Sequence, residues 1–110
     1  MAEVIEQIES AIRGNKIMIF MKGTRTFPQC GFSAATVQIF DELGAPYGTM
    51  DVLADPELRD AIKRYSNWPT IPQVFIDGKF VGGCDIIREL YDSGELEPMV
   101  KAALGEGAGR

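Results

Sequence analysis

Apolar positions recur along this chain with two different periods, and the switches between them mark out its elements. Val4, Ile5, Ile8 and Ile12 fall at helical spacing with Glu and Gln between them, which predicts an amphipathic helix closed by Gly14. Ile17-Met18-Ile19-Phe20-Met21 is a short, unbroken apolar run, the pattern of a strand covered on both faces. After a loop, residues 34–43 carry Val37, Phe40 and Leu43 on one helical face, and Gly44 stops them. Tyr47 to Val52 reads as a second strand. Asp55-Pro56 then opens a helix to about Ser66: Asp caps it, and Pro at the first position gives up a donor that the helix would not use. Gln73–Ile76 and Lys79–Val81 flank Asp77-Gly78, a pair that favours the tight turn of a hairpin. One more helix runs from Asp85 through Tyr91, and a last one from about Leu96 to Leu104.

A strand–helix–strand unit followed by a helix, a hairpin and further helices predicts an α/β fold. Its mixed four-stranded sheet is flanked by helices on both faces, which is the thioredoxin arrangement. No repeat or low-complexity linker divides the chain. Residues 1–104 are expected to form one domain, with the glycine-rich residues 105–110 as a flexible tail.

Composition then narrows the chemistry. The chain has 110 residues with 45% apolar and 25% charged positions, an ordinary globular balance. A net charge of −5 argues against nucleic acid, whose phosphates require surplus Lys and Arg. No apolar run approaches the ~20 residues that span a bilayer, so no membrane role is expected. Met1-Ala2-Glu3-Val4 has neither the basic start nor the apolar stretch of an export signal, and a reducing, cytoplasmic location is the expectation. Two cysteines and no histidine set the tightest limit. A Ser-His-Asp or Cys-His catalytic arrangement is excluded, and a zinc site would lack half of its usual ligands. Most ligands for any soft metal would have to come from elsewhere.

Cys30 sits where the loop after the first strand meets a helix, in Pro28-Gln29-Cys30-Gly31-Phe32-Ser33. Unpaired amides at a helix start carry partial positive charge and stabilise a thiolate, and Lys22 at the end of the preceding strand adds a full charge. The thiolate is both the nucleophile and the metal ligand. The same residue type is equally often a buried, inert thiol. Ser33 occupies the second position of a Cys-x-x-Cys pair, so Cys30 has no resolving sulfur in its own motif. That Ser is also suited to capping or packing against the first helical turn.

Four spaced segments carry a family resemblance: Met21-Lys22-Gly23-Thr24, Pro28-Gln29-Cys30-Gly31-Phe32-Ser33, Trp68-Pro69-Thr70-Ile71-Pro72-Gln73 and Gly82-Gly83-Cys84-Asp85. In this order they resemble the monothiol glutaredoxins of the Cys-Gly-Phe-Ser class over residues 3–104. Arg25-Thr26-Phe27 lies in a stretch that varies within that family. The resemblance implies that Cys30 faces a bound glutathione. It implies a cis Ile71–Pro72 bond that leaves the Ile71 backbone open to the ligand like a strand edge. Lys22 and Arg59 match cations for the glycine carboxylate. The Cys84-Asp85 helix start suits the γ-glutamyl carboxylate, and Asp85 its amino group. Asp85 is also a plausible plain N-cap, an exposed helix Arg is usually only solvated, and Trp68 reads as a cleft wall.

A [2Fe–2S] cluster takes four sulfurs. Cys30 and one glutathione from each of two protomers supply them, so the resemblance implies a cluster-bridged homodimer with Cys30 as the protein's metal ligand. It further implies delivery to apo iron–sulfur acceptor proteins, a part in iron homeostasis, and a heterodimer with a BolA-like protein that brings a histidine. Two alternatives share these residues. One is a weak glutathione-dependent oxidoreductase acting on mixed disulfides through Cys30. The other is a redox sensor in which Cys30 pairs with Cys84, which requires alpha carbons within about 7 Å.

Overall fold

All of the predicted elements form, in the predicted order. The computed structural model describes residues 2–105; the tail expected to be flexible lies, apart from Gly105, outside the described residues. The elements are α1 (Ala2–Gly14), β1 (Ile17–Met21), α2 (Gly31–Glu42), β2 (Gly48–Asp51), α3 (Pro56–Ser66), β3 (Gln73–Ile76), β4 (Lys79–Gly82), α4 (Cys84–Asp92) and α5 (Leu96–Ala103). The strands lie in the order β2-β1-β3-β4, with β1 parallel to β2 and the other pairs antiparallel. This is the mixed sheet that the strand–helix–strand unit and the hairpin require.

β1 is buried along its whole length because its alternate side chains enter two separate cores. Ile17, Ile19 and Met21 point to one face, where Val37 and Phe40 of α2, Ile87 of α4, and Leu96 and Val100 of α5 pack. Met18 and Phe20 point to the other, against Val4, Ile8 and Ile12 of α1 and Leu58 and Ile62 of α3. Phe20 meets Phe75 edge-on at 5.7 Å between ring centroids. Each fully buried Ile or Phe contributes roughly 1.5–3 kcal/mol by leaving water. The central strand therefore anchors both layers at once.

Element ends follow their chemistry. Asp55 caps α3 by accepting from the Glu57 and Leu58 amides at 3.0 and 3.4 Å. Asn67 ends that helix in the left-handed conformation at φ 56°. The hairpin turns through Asp77 and Gly78, both at positive φ, as an Asp-Gly tight turn demands. One boundary differs from the periodic pattern. α2 begins at Gly31, three residues before the predicted start, because Cys30 itself is the extended N-cap at φ −148° and ψ 135°. Gly31-Phe32-Ser33 form the first turn without an inward apolar side chain to announce it.

Candidate functional site

β1 delivers the chain to Lys22, and the backbone there is tied on three sides. The Lys22 amide donates to Ser33 Oγ at 3.1 Å, and its carbonyl accepts from the Gln29 amide at 2.9 Å. The next amide, of Gly23, donates to Asp51 Oδ1 at 2.9 Å, and the same oxygen accepts from Leu53 at 2.8 Å. Gly23 has φ +90°, and a Cβ there would lie 2.5 Å from the Phe27 carbonyl, so only glycine fits the turn. Ser33 is fully buried. Its hydroxyl thus works as a peg between β1 and the first turn of α2.

Cys30 is half-buried at the N-cap of α2. Its thiol makes no formal capping hydrogen bond. The sulfur nevertheless lies in the field of that helix start, and its pKa is lowered from the usual thiol range. The Ser33 amide is the strongest influence; partial burial opposes it, and the Phe32 amide, the Lys22 ammonium and the Ser33 hydroxyl all add to the lowering. The structure therefore favours the accessible, ionisable reading of Cys30 over the inert one.

The sulfur opens into a cavity of about 530 Å³, within the range of small-molecule sites. Every residue singled out for the site lines it: Lys22, Cys30, Arg59, Ile71, Pro72, Cys84 and Asp85. The Ile71–Pro72 bond is cis. Three cations line its β1 and α3 side, since Lys63, one turn beyond Arg59 on α3, joins Arg59, and Lys22 follows β1. Among the described residues none of the three takes part in an ion pair. That side of the cavity offers unspent positive charge to an anionic group.

The start of α4 also lines the cavity. Gly83 is its extended N-cap with no side-chain capping bond, leaving amides of the first turn open. A Cβ on Gly83 would stand 3.1 Å from the Pro72 carbonyl and 3.6 Å from Trp68 Nε1, so glycine lets the helix start approach this wall. Asp85 is exposed. Cys84 is buried, with Arg88 Nη2 3.8 Å from its sulfur. Both cysteines are free thiols. Among the described residues no three His, Cys, Asp or Glu side chains gather as a metal site.

A thiol at a helix start and a cis proline thus line one cavity. The sequence pattern described as Glutaredoxin matches residues 17–81. The chain belongs to the glutaredoxin family. Its relatives include a monothiol glutaredoxin, ycf64-like, from Synechocystis, 57% identical over 93% of this chain and 95% of that one. Glutaredoxin 4 of Escherichia coli is 44% identical over 92% of this chain and 88% of its own. Among solved structures, reduced apo GrxS14 of poplar superposes with a TM-score of 0.84 at 46% identity, covering 94% of both chains. A buckwheat glutaredoxin–glutathione complex superposes equally well at a TM-score of 0.84, with 27% identity, covering 96% of this chain and 94% of the other. This glutaredoxin is of the monothiol kind, with Ser33 in place of a second cysteine.

Sequence reasoning missed three contributors to the glutaredoxin site. Lys63 is one, although its spacing of four from Arg59 put it on the same helix face. Phe32 is another: it lines the cavity while remaining 59% exposed, beside Cys30. The third is the structural use of Ser33, whose amide and hydroxyl act on the thiol and on Lys22 together.

Proposed function

We propose that this glutaredoxin binds glutathione in the Cys30 cavity and, as a pair of protomers, carries a [2Fe–2S] cluster to apo acceptor proteins. The observation that carries the reading is the combination in one cleft of an accessible thiol of lowered pKa, cations without an ion-pair partner among the described residues, and a bare helix start. A zwitterionic tripeptide with a carboxylate at each end suits that arrangement, and the buckwheat glutaredoxin complex supports it. In this reading Lys22 and Arg59 take the glycine carboxylate, the amides of the first turn of α4 take the γ-glutamyl carboxylate, and Asp85 takes the amino group. The Ile71 backbone pairs with the cysteinyl residue.

Cargo binding then follows from counting sulfurs. The chain offers Cys30 as an accessible thiol of lowered pKa and no other metal-ligating cluster among its described residues. Cys30 and glutathione from two protomers complete the four thiolates of the cluster. Release proceeds by ligand exchange: each acceptor thiolate that binds iron displaces one donor thiolate, so neither charge nor oxidation state changes. A BolA-like protein would serve as a second partner by contributing a histidine. The reducing cytoplasm, where thiols stay free and glutathione is abundant, suits this function.

Two further reactions share the site. In the first, Cys30 thiolate attacks the glutathione sulfur of a mixed disulfide and expels the protein thiolate. A second glutathione then frees Cys30 and leaves as oxidised glutathione. The lowered Cys30 pKa favours this activity, while Ser33 leaves resolution to glutathione alone. In the second, a redox-sensor reaction, Cys30 thiolate attacks oxidised glutathione and expels one glutathione thiolate; Cys84, which lines the same cavity, then attacks the Cys30 sulfur and expels the other, leaving a Cys30–Cys84 disulfide.

The deciding experiment is anaerobic reconstitution with iron and sulfide, with and without glutathione, read by visible absorption and gel filtration. A coloured dimer that forms only with glutathione is expected. A colourless monomer under both conditions would overturn the carrier reading in favour of thiol exchange.

A further inference from the structure

Gln73 is the first residue of β3 and is fully buried, an unusual place for a side chain with four hydrogen-bonding sites. Its backbone pairs with Phe20 in the sheet, so the side chain is not needed for the strand ladder. On the same face, Phe75 packs into the apolar layer beneath α1 and α3. An apolar residue at 73 would satisfy that layer at no desolvation cost.

What the amide does is specific. Gln73 Nε2 donates to the Trp68 carbonyl at 3.0 Å and to the Thr70 carbonyl at 3.2 Å. Both amide protons are thereby spent on the segment that leads from α3 to the cis proline. Oε1 is buried and has no hydrogen-bond partner among the described residues. The opposite orientation would press Oε1 against two carbonyl oxygens, so the amide orientation is set by its donors. A buried polar group that satisfies its donor end and leaves its acceptor end bare is retained for those donors.

The segment it grips is a wall of the cavity, in which Trp68, Thr70 and Ile71 are exposed to the ligand space. At its other end the Trp68 amide is held by the Lys63 carbonyl at 3.1 Å and by Ser66 Oγ at 3.1 Å. The Trp68 ring leans on Phe80 at 5.6 Å between centroids, and among the described residues the Thr70 carbonyl is held by the Gln73 amide. Gln73 is thus the side chain that ties the two carbonyls of this wall, at Trp68 and Thr70, to the sheet interior.

We infer that Gln73 is a positioning residue, whose two N–H donors hold the Trp68–Thr70 wall in the geometry that accepts glutathione. It touches no ligand. Its effect on binding rests on the proposed glutathione site, whereas its effect on the wall does not.

That separation can be read out, because Trp68 is the only tryptophan of the chain. Gln73→Met keeps the side chain's length and removes both donors; Gln73→Glu keeps its shape and replaces the donors with acceptors. In the folded variants the Trp68 emission is expected to shift to the red and become more accessible to acrylamide. Glutathione affinity by calorimetry is expected to fall on the order of tenfold, the scale of two net hydrogen bonds. Gln73→Glu should exceed Gln73→Met in both readouts. A purely structural role would lower the urea midpoint while leaving the emission and affinity of the folded protein at their wild-type values, and that result overturns the inference. Absence of glutathione binding by the wild-type chain would overturn the proposed function, with Trp68 emission still deciding the role of Gln73. If both variants unfold, exchange of the wild-type Gln73 side-chain amide protons with deuterium decides. Protection is expected, and exchange at the rate of an exposed glutamine would sink the proposal.

Discussion

The cavity is bounded by two helix starts, and each carries a cysteine, yet the two thiols have opposite surroundings. Cys30 is the N-cap of α2: its backbone is extended, and its sulfur faces the amides of the turn that follows. Cys84 stands one position further in, as the first helical residue of α4, with Gly83 as the cap. That single step turns its side chain into the protein, where it is buried with the Arg88 guanidinium 3.8 Å from its sulfur. A residue at the cap meets the helix dipole from outside, whereas one inside the first turn contributes its amide to whatever binds there. The same local structure therefore puts a thiol in the field of one helix start and leaves the backbone amides of the other uncapped by a side chain.

The sharpest way to break this comparison is to remove each sulfur in turn. Cys30→Ser is expected to abolish glutathione-dependent cluster binding and reduce thiol transfer to background, with the fold intact by circular dichroism. Cys84→Ser should retain the cluster. Equal losses in the two variants would mean that both sulfurs are ligands.

Next in size is Lys22→Ala, expected to weaken glutathione binding on the order of tenfold by calorimetry, as loss of a charge-assisted contact does. Unchanged affinity would remove Lys22 from the site. The pH dependence of alkylation by iodoacetamide separates the thiols directly. Cys30 has its folded-state pKa lowered, so its thiolate persists below the range of a free thiol and is lost only as pH falls through the folded value. Its rate profile should lie at lower pH in the native protein than in urea, and Lys22→Ala should move the native profile back up. Cys84 should react far more slowly in the native state at every pH, because it is buried.

Gly83→Ala tests the backbone end of the cleft. The added methyl presses on the Pro72 carbonyl, and a few-fold loss of glutathione affinity is expected with Cys30 alkylation unchanged. Smallest is Asp55→Ala, which uncaps the helix bearing Arg59 and Lys63. A loss of about 1 kcal/mol in urea unfolding is expected, with the alkylation profiles unmoved.

The fold was legible because each element has a strong local signal: the two-faced apolar run of β1, the Asp55-Pro56 helix start, the Asp77-Gly78 turn. The start of α2 was not, since Gly31, Phe32 and Ser33 put no apolar side chain into the core that a period could register. The candidate site was legible where the motifs named residues, and all seven of those residues line the cavity. Lys63 escaped notice because a lysine on an exposed helix face looks like any solvated charge until the fold turns that face inward. Ser33 and Gln73 escaped for the opposite reason. Polar residues in apolar surroundings reveal their purpose only when the partners of each atom are known.

Residues 23–28 form a closed ring on the surface. Gly23 bridges Pro28, the Thr24 amide donates to the Phe27 carbonyl at 3.2 Å, and the Phe27 amide returns to Thr24 Oγ1 at 3.1 Å. Arg25 pins the ring to Asp41 at 3.1 Å and lies over Tyr47 at 4.6 Å, while Phe27 projects into solvent, 71% exposed. Lys22, Ser33 and Cys30 are fixed by contacts outside the ring. The ring therefore holds its shape by its own bonds, so that exchanging the outward Thr26 and Phe27 side chains leaves the contacts that fix the thiol as they stand.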